Sequence, residues 1–181
     1  VSSRDPYNPR IRIPLRGRGY ATPPSGPYAA DPNTYALWHL DGIPGDTAFI
    51  DVAHAIRGAL RGTGFSWDSD IYRWGTSSLY FDRTNGWALV PDNAYLDFRN
   101  SPFTVETWFK RTGTGTTAST GDGGVAAIPL VTKGRGESDT GNLNMAYFLG
   151  IRAIDNVLAA DFEDWNSGLN HPVTGTTAIP A

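Results

Sequence analysis

The sequence predicts an all-β fold, an antiparallel β-sandwich or jelly roll, preceded by an extended arm. Three observations predict it. From Tyr35 onward the apolar residues come in short bursts alternating with polar ones, the period of a half-buried strand. The 21 Gly and 13 Pro are scattered between those bursts as turn residues and follow no collagen-like repeat. Helical periodicity is nearly missing. One stretch, "DVAHAIRGALRG", places Val52, Ile56 and Leu60 at four-residue spacing and predicts one or two helical turns, which Gly58 and Gly62 weaken.

The elements follow in order. Residues 1–34 hold seven of the prolines, and "ATPPSGPYAADPNT" has the composition of an extended, polyproline-type linker. Ahead of it, "RIRIPL" alternates charged and aliphatic side chains: Ile11, Ile13 and Leu15 share one strand face, with Arg10, Arg12 and Pro14 on the other. Pro14 confines such a strand to pairing along one edge. The domain proper is expected over residues 35–181. In it, "YALWHL" reads as a strand, and "SLYFD" and "GWALVP" read as a hairpin around Asn85-Gly86. "FTVETWFK" is the clearest strand by residue type. Gly- and Thr-rich loops run from Thr112 to Gly124, and strands follow at "IPLVTK", "MAYFLGIR" and "NVLAADFE". The expected core is Trp38, Leu79, Phe81, Leu89, Phe103, Val105, Phe109 and Phe148.

Composition narrows the function classes. With 181 residues, 40% hydrophobic and 12% aromatic, the chain can fill one sizeable core. It has no Cys, so disulfides and thiolate metal sites are excluded, which still permits an extracellular home. No apolar run reaches the ~20 residues of a membrane helix, so no membrane insertion is expected. The chain opens on Val1 without a signal-peptide pattern and reads as a processed product or an excised segment. The net charge of −3 is unevenly placed. Residues 1–30 carry five Arg against Asp5, a balance of +4, and residues 31–181 carry ten basic against seventeen acidic side chains, a balance of −7. A body that acidic argues against nucleic acid as a partner.

The order "ALWHLDG", "SLYFDRTNGWALVPDNAYLDFRNSPFTVETWFKR", "PLVTKG", "YFLGI", "LAADFE" resembles the laminin-G-like jelly roll of concanavalin A-type modules. The middle block is the specific part, and the resemblance covers residues 35–164 with the loop at 112–124 as an insertion. It implies two curved antiparallel sheets face to face, in secreted or cell-surface proteins of adhesive or sugar-binding character. One departure is large. The family's closing strands, of the "W-x-H-V-A" and "D-E-V-R-I-W" kinds, have no counterpart before "HPVTGTTAIPA", so the last third of the fold is expected to come from elsewhere.

Candidate sites are few. Period-two geometry in "FTVETWFK" sends Phe103, Val105, Thr107 and Phe109 inward and Thr104, Glu106, Trp108 and Lys110 outward. A Trp beside a carboxylate can stack a sugar ring and accept its hydroxyl hydrogen bonds, which makes Glu106 and Trp108 the candidate ligand pair; the plain alternative is a packed Trp under a loop. Asp68 and Asp70 in "WDSD", with Asp92 and Asn93 in "PDNAYLD", are hard oxygen donors suited to Ca²⁺. The same residues commonly build turns. Glycoside hydrolysis needs two facing carboxyls, and enzymes of this fold often carry E-x-D-x-E. Glu106 has Thr104 and Trp108 as its neighbours on that face, and Asp161 and Glu163 are followed by Trp165 in place of a third acid. "GTGTTA" at 113–118 has dinucleotide-motif spacing but no helix pattern after it. His39, His54 and His171 form no ligand spacing.

These readings lead to a non-catalytic extracellular or cell-surface adhesion module for a glycan or protein ligand. One alternative is a structural subunit forming a homo-oligomer or filament by exchange of the arm, through Arg10, Ile11, Arg12, Ile13 and Leu15. The other is a glycoside hydrolase.

Overall fold

The computed structural model describes residues 25–98, 101–134, 145–164 and 167–181, so the expected arm strand lies outside the described residues. Strand makes up 37% of the structure and every pairing is antiparallel. The chain is therefore all-β.

The first strands are β1 (Ala48–Ile50), β2 (Arg57–Gly62), β3 (Phe65–Asp68), β4 (Ser78–Phe81) and β5 (Gly86–Leu89). β2 lies between β1 and β5, while β3 pairs β4 alone. The registers Ala59↔Leu89, Gly62↔Gly86, Phe65↔Phe81 and Asp68↔Ser78 describe one long hairpin with its tip at residues 69–77. It is broken in the middle. There the Asn85 carbonyl accepts from Thr63 N at 2.7 Å and Gly64 N at 2.9 Å, and Asp82 N donates to the Gly64 carbonyl at 3.0 Å. The Asn85-Gly86 turn expected between β4 and β5 thus becomes a kink, because each strand pairs back to β3 or β2. Gly62 is required at this kink: its φ is +76° and a Cβ there would lie 1.9 Å from the Asn85 carbonyl oxygen.

The segment expected to be helical closes a single turn, Ala55 N to the Asp51 carbonyl at 3.1 Å, and then runs extended as β2. A spacing of four fits a strand as well as a helix, since it is even. Ile56, Gly58 and Leu60 are accordingly buried as an i, i+2, i+4 series.

After a short 3-10 turn at Ala94–Leu96, the chain forms a five-stranded meander. Its strands are β6 (Ala118–Ser119), β7 (Ala126–Gly134), β8 (Met145–Arg152), β9 (Val157–Asp161) and β10 (Val173–Ala178), in the order β10-β9-β8-β7-β6. β7 to β9 coincide with three of the expected strands. β7 accommodates Pro129 at a register shift between Pro129 and Val131. Val125, Ala127, Met145, Phe148 and Ala159 pack together as a buried cluster on this sheet.

Two expected strands are not formed. Residues 35–40 and 103–110 belong to no strand, and Leu40 turns to φ +55°. Strand propensity reflects packing against neighbours, and without a ladder it fixes neither pairing nor faces. The expected core shifts with them: of its eight members only Phe148 is buried, while Phe81, Leu89, Phe103 and Phe109 are exposed and Trp38, Leu79 and Val105 are intermediate. Phe103 instead stacks on Phe98 at 4.7 Å and leans on Tyr147 of β8 at 5.4 Å. The interior is built from smaller residues and from Trp67, whose Nε1 donates to the Asp46 carbonyl at 3.0 Å.

Candidate functional site

The tip of the long hairpin, "SDIYRWGTS", is held at both ends. On entry the Asp68 carboxylate accepts from Asp70 N at 2.8 Å and Ile71 N at 2.9 Å. On exit Thr76 N donates to Asp41 Oδ1 at 3.1 Å, and the buried Ser77 hydroxyl donates to the Gly42 carbonyl at 2.7 Å. This clamp presents Arg73 and Trp74 to the segment that carries Trp108. The two indoles meet edge to face at 4.9 Å, with planes 82° apart. The Arg73 guanidinium lies 4.7 Å from the Trp74 ring and 5.0 Å from the Trp108 ring, within cation–π range of both. Trp108 nevertheless remains 48% exposed. Neither Arg73 nor Glu106 has a hydrogen-bond or ion-pair partner among the described residues.

This platform joins residues from two places and contains one of the two expected ligand residues, Trp108; Glu106 is exposed two positions away. Arg73 and Trp74 were missed because a turn-rich stretch carries no strand period. A signal was present: an Arg-Trp pair followed by Gly75, inside a turn-rich stretch, sets a large ring where no strand continues to bury it.

The four calcium candidates fall in two places. Asp68 builds the hairpin tip, with Asp70 as its donor through the backbone. Asp92 pairs with Lys133 Nζ at 3.0 Å, which holds its carboxyl below the ordinary value. Asn93 caps the 3-10 turn by accepting from Tyr95 N at 2.9 Å. Among the described residues no group of three or more His, Cys, Asp or Glu is placed to hold a metal ion.

The Asp161 and Glu163 carboxylates are buried. Asp161 accepts from the Thr120 hydroxyl and, at 2.9 Å each, from Phe162 N and His171 N; Glu163 Oε2 accepts from Met145 N at 2.9 Å. Burial raises the Asp161 pKa, with the Thr120 hydrogen bond opposing it. Asp161 thus ties the end of β9, and Glu163 the residues just after it, to neighbouring segments of the meander.

In comparisons with known proteins, no family model matches the chain, and no curated protein or solved structure matches it either. No described helix is long and apolar enough to cross a membrane.

Proposed function

We propose that the chain is a non-catalytic binding module of extracellular or cell-surface type, a laminin-G-like jelly roll that takes a glycan or protein ligand on the face carrying Trp108. One observation carries this reading: a half-exposed Trp108 held in place by Arg73 and Trp74. A fixed, solvent-facing indole can stack a sugar ring at small entropic cost, and Arg73 and Glu106, which have no hydrogen-bond partner among the described residues, supply a donor and an acceptor for hydroxyls. The engagement of Asp161 and Glu163 with backbone and Thr120 supports the non-catalytic part, since neither is free to face a glycosidic bond. Glycan-array screening followed by calorimetric titration tests the reading. Trp108→Ala should weaken binding by ~1–3 kcal/mol while leaving the far-ultraviolet spectrum unchanged. Undiminished binding by that variant would remove this face from consideration.

Assembly is a second reading, favoured by β10. All six of its residues are exposed, none is charged, and one side of the strand has no partner among the described strands. Such an edge accepts another strand readily, and Lys is the usual guard against it. Concentration-dependent sedimentation that disappears in Thr176→Lys would support assembly through this edge, and a monomer at all concentrations would refute it.

A further inference from the structure

A cleft lies beside the β1–β2 turn, with none of the Trp108 platform residues in its wall. It encloses about 290 Å³ between that turn and the segment after β5, with His54, Ile56, Arg57, Pro91, Asp92 and Tyr95 in its wall. This volume is near the lower end for small-molecule sites.

The turn is built with unusual care for a surface hairpin. Asp51, only 2% exposed, accepts from the N–H groups of Leu37, Ala53 and His54. Burial alone would raise its pKa, but these backbone bonds outweigh burial and hold it below the ordinary value. Beside this clamp Ala55 sits at φ +57°, a left-handed conformation that costs a non-glycine residue about 1 kcal/mol. Strain of this kind collects where a site must hold one shape.

The clamp also orients His54. Its Nδ1 lies 3.0 Å from the Tyr35 carbonyl, which can only accept, so Nδ1 carries the proton and the other ring nitrogen has no partner among the described residues. The His54 ring stacks on Tyr95 at 4.6 Å and 27°, and Tyr95 is itself 53% exposed. The Asn93 cap fixes the Tyr95 backbone from the other side. The charges in the wall are not equivalent. Asp92 is paired with Lys133, whereas the Arg57 side chain has no hydrogen bond or ion pair among the described residues.

We propose that this cleft is a separate binding site for a small carboxylate carried on a six-membered ring, with the carboxylate on Arg57 and the ring against the His54–Tyr95 stack. A guanidinium fork matches a carboxylate, and an aromatic face with one open side matches a ring. The carboxylate can belong to an acidic sugar or to an aromatic acid, and the test separates the two.

Two-dimensional NMR of the whole chain is titrated with glucuronate and with benzoate, using glucose and acetate as controls. At least one ring carboxylate should shift the His54 and Tyr95 resonances with a dissociation constant on the order of millimolar, the expected strength for so small a ligand. Acetate and glucose should each bind about 10-fold more weakly, because each offers half of the recognition. Arg57→Gln should abolish the preference for ring carboxylates over glucose, and Arg57→Lys should restore it only in part. Arg57 is exposed, so neither variant threatens the fold. Unmoved His54 and Tyr95 resonances with both ring carboxylates would overturn the proposal. Equal binding by wild type and Arg57→Gln, or by acetate and the ring carboxylates, would overturn it as well. The Trp108 reading stands or falls separately, since Trp108→Ala should leave these shifts unchanged.

Discussion

The C-terminal meander and the region before residue 110 use apolar residues in opposite ways. The meander buries medium and small side chains, among them Ala127, Met145, Ile151, Val157 and Ala159, and among its described residues displays one exposed aromatic, Phe162. The described residues of the earlier region display ten, including Tyr72, Trp87, Phe103 and Trp108. An interior sheet is filled by residues that interdigitate closely, whereas a large ring left half in solvent stabilises little and recognises much. Among the described residues, large rings are therefore displayed mostly before residue 110 and the buried cluster lies after it, a difference the following expectations can break or sharpen.

The largest effect belongs to the meander. Phe148→Ala should cost about 3–5 kcal/mol, read from the midpoint of chemical denaturation, because it opens a cavity at the centre of the buried cluster. A loss below about 1 kcal/mol would show that the meander is not the stabilising half.

Next comes Asp51→Ala, which strands three backbone donors and should cost about 1–3 kcal/mol. Its pH dependence has a definite sign. The folded carboxyl lies below its ordinary value of 3.8, so its contribution is complete above that pH and fades as acid is added. Wild type should weaken toward acid more steeply than Asp51→Asn does, as measured by melting at a series of pH values.

Asp161 has the opposite sign. Its carboxyl is raised above 3.8 by burial, so the folded state favours the protonated form and stability falls as pH climbs through the raised value. In Asp161→Asn the carbonyl still accepts from Phe162 N and His171 N, and the amide donates to the Thr120 hydroxyl. That variant should lack the decline. An identical profile in both would place the titrating group elsewhere.

The smallest effect is expected at the surface pair. Asp92 is almost fully exposed beside Lys133, so Asp92→Asn should leave the melting temperature unchanged within error. Added calcium should separate the two uses of this residue: a melting temperature that rises in wild type and not in Asp92→Asn would restore the metal reading.

The same division explains what the sequence disclosed. β7, β8 and β9 were legible because each is long, alternates, and pairs with its chain neighbour, so local pattern and final contacts agree. "FTVETWFK" misled because its residue types favour a strand while no described strand pairs with it. With no ladder the alternation lost its meaning, and Phe103, assigned inward, and Trp108, assigned outward, are both exposed. Asn85-Gly86 misled for a related reason: neither residue takes a positive φ, and the Asn85 carbonyl instead accepts from Thr63 and Gly64 across the hairpin. Trp108 was legible as a chemical type. Its partners Arg73 and Trp74 were not, since a contact across more than thirty positions leaves no local trace.

The kink at Thr63 and Gly64 makes the hairpin two short ladders instead of one continuous one. The outer ladder is fastened through its own contacts to Asp41 and Gly42, independently of β5. Residues 69–74 can therefore be exchanged for other sequences, by natural variation or by grafting, without carrying a register error inward to β2, provided Gly75 and Ser77 keep their places against Asp41 and Gly42. A lineage that retained the kink and this fastening would be free to diversify the loop between Asp68 and Gly75 and so change what the surface greets while its foundations stay put.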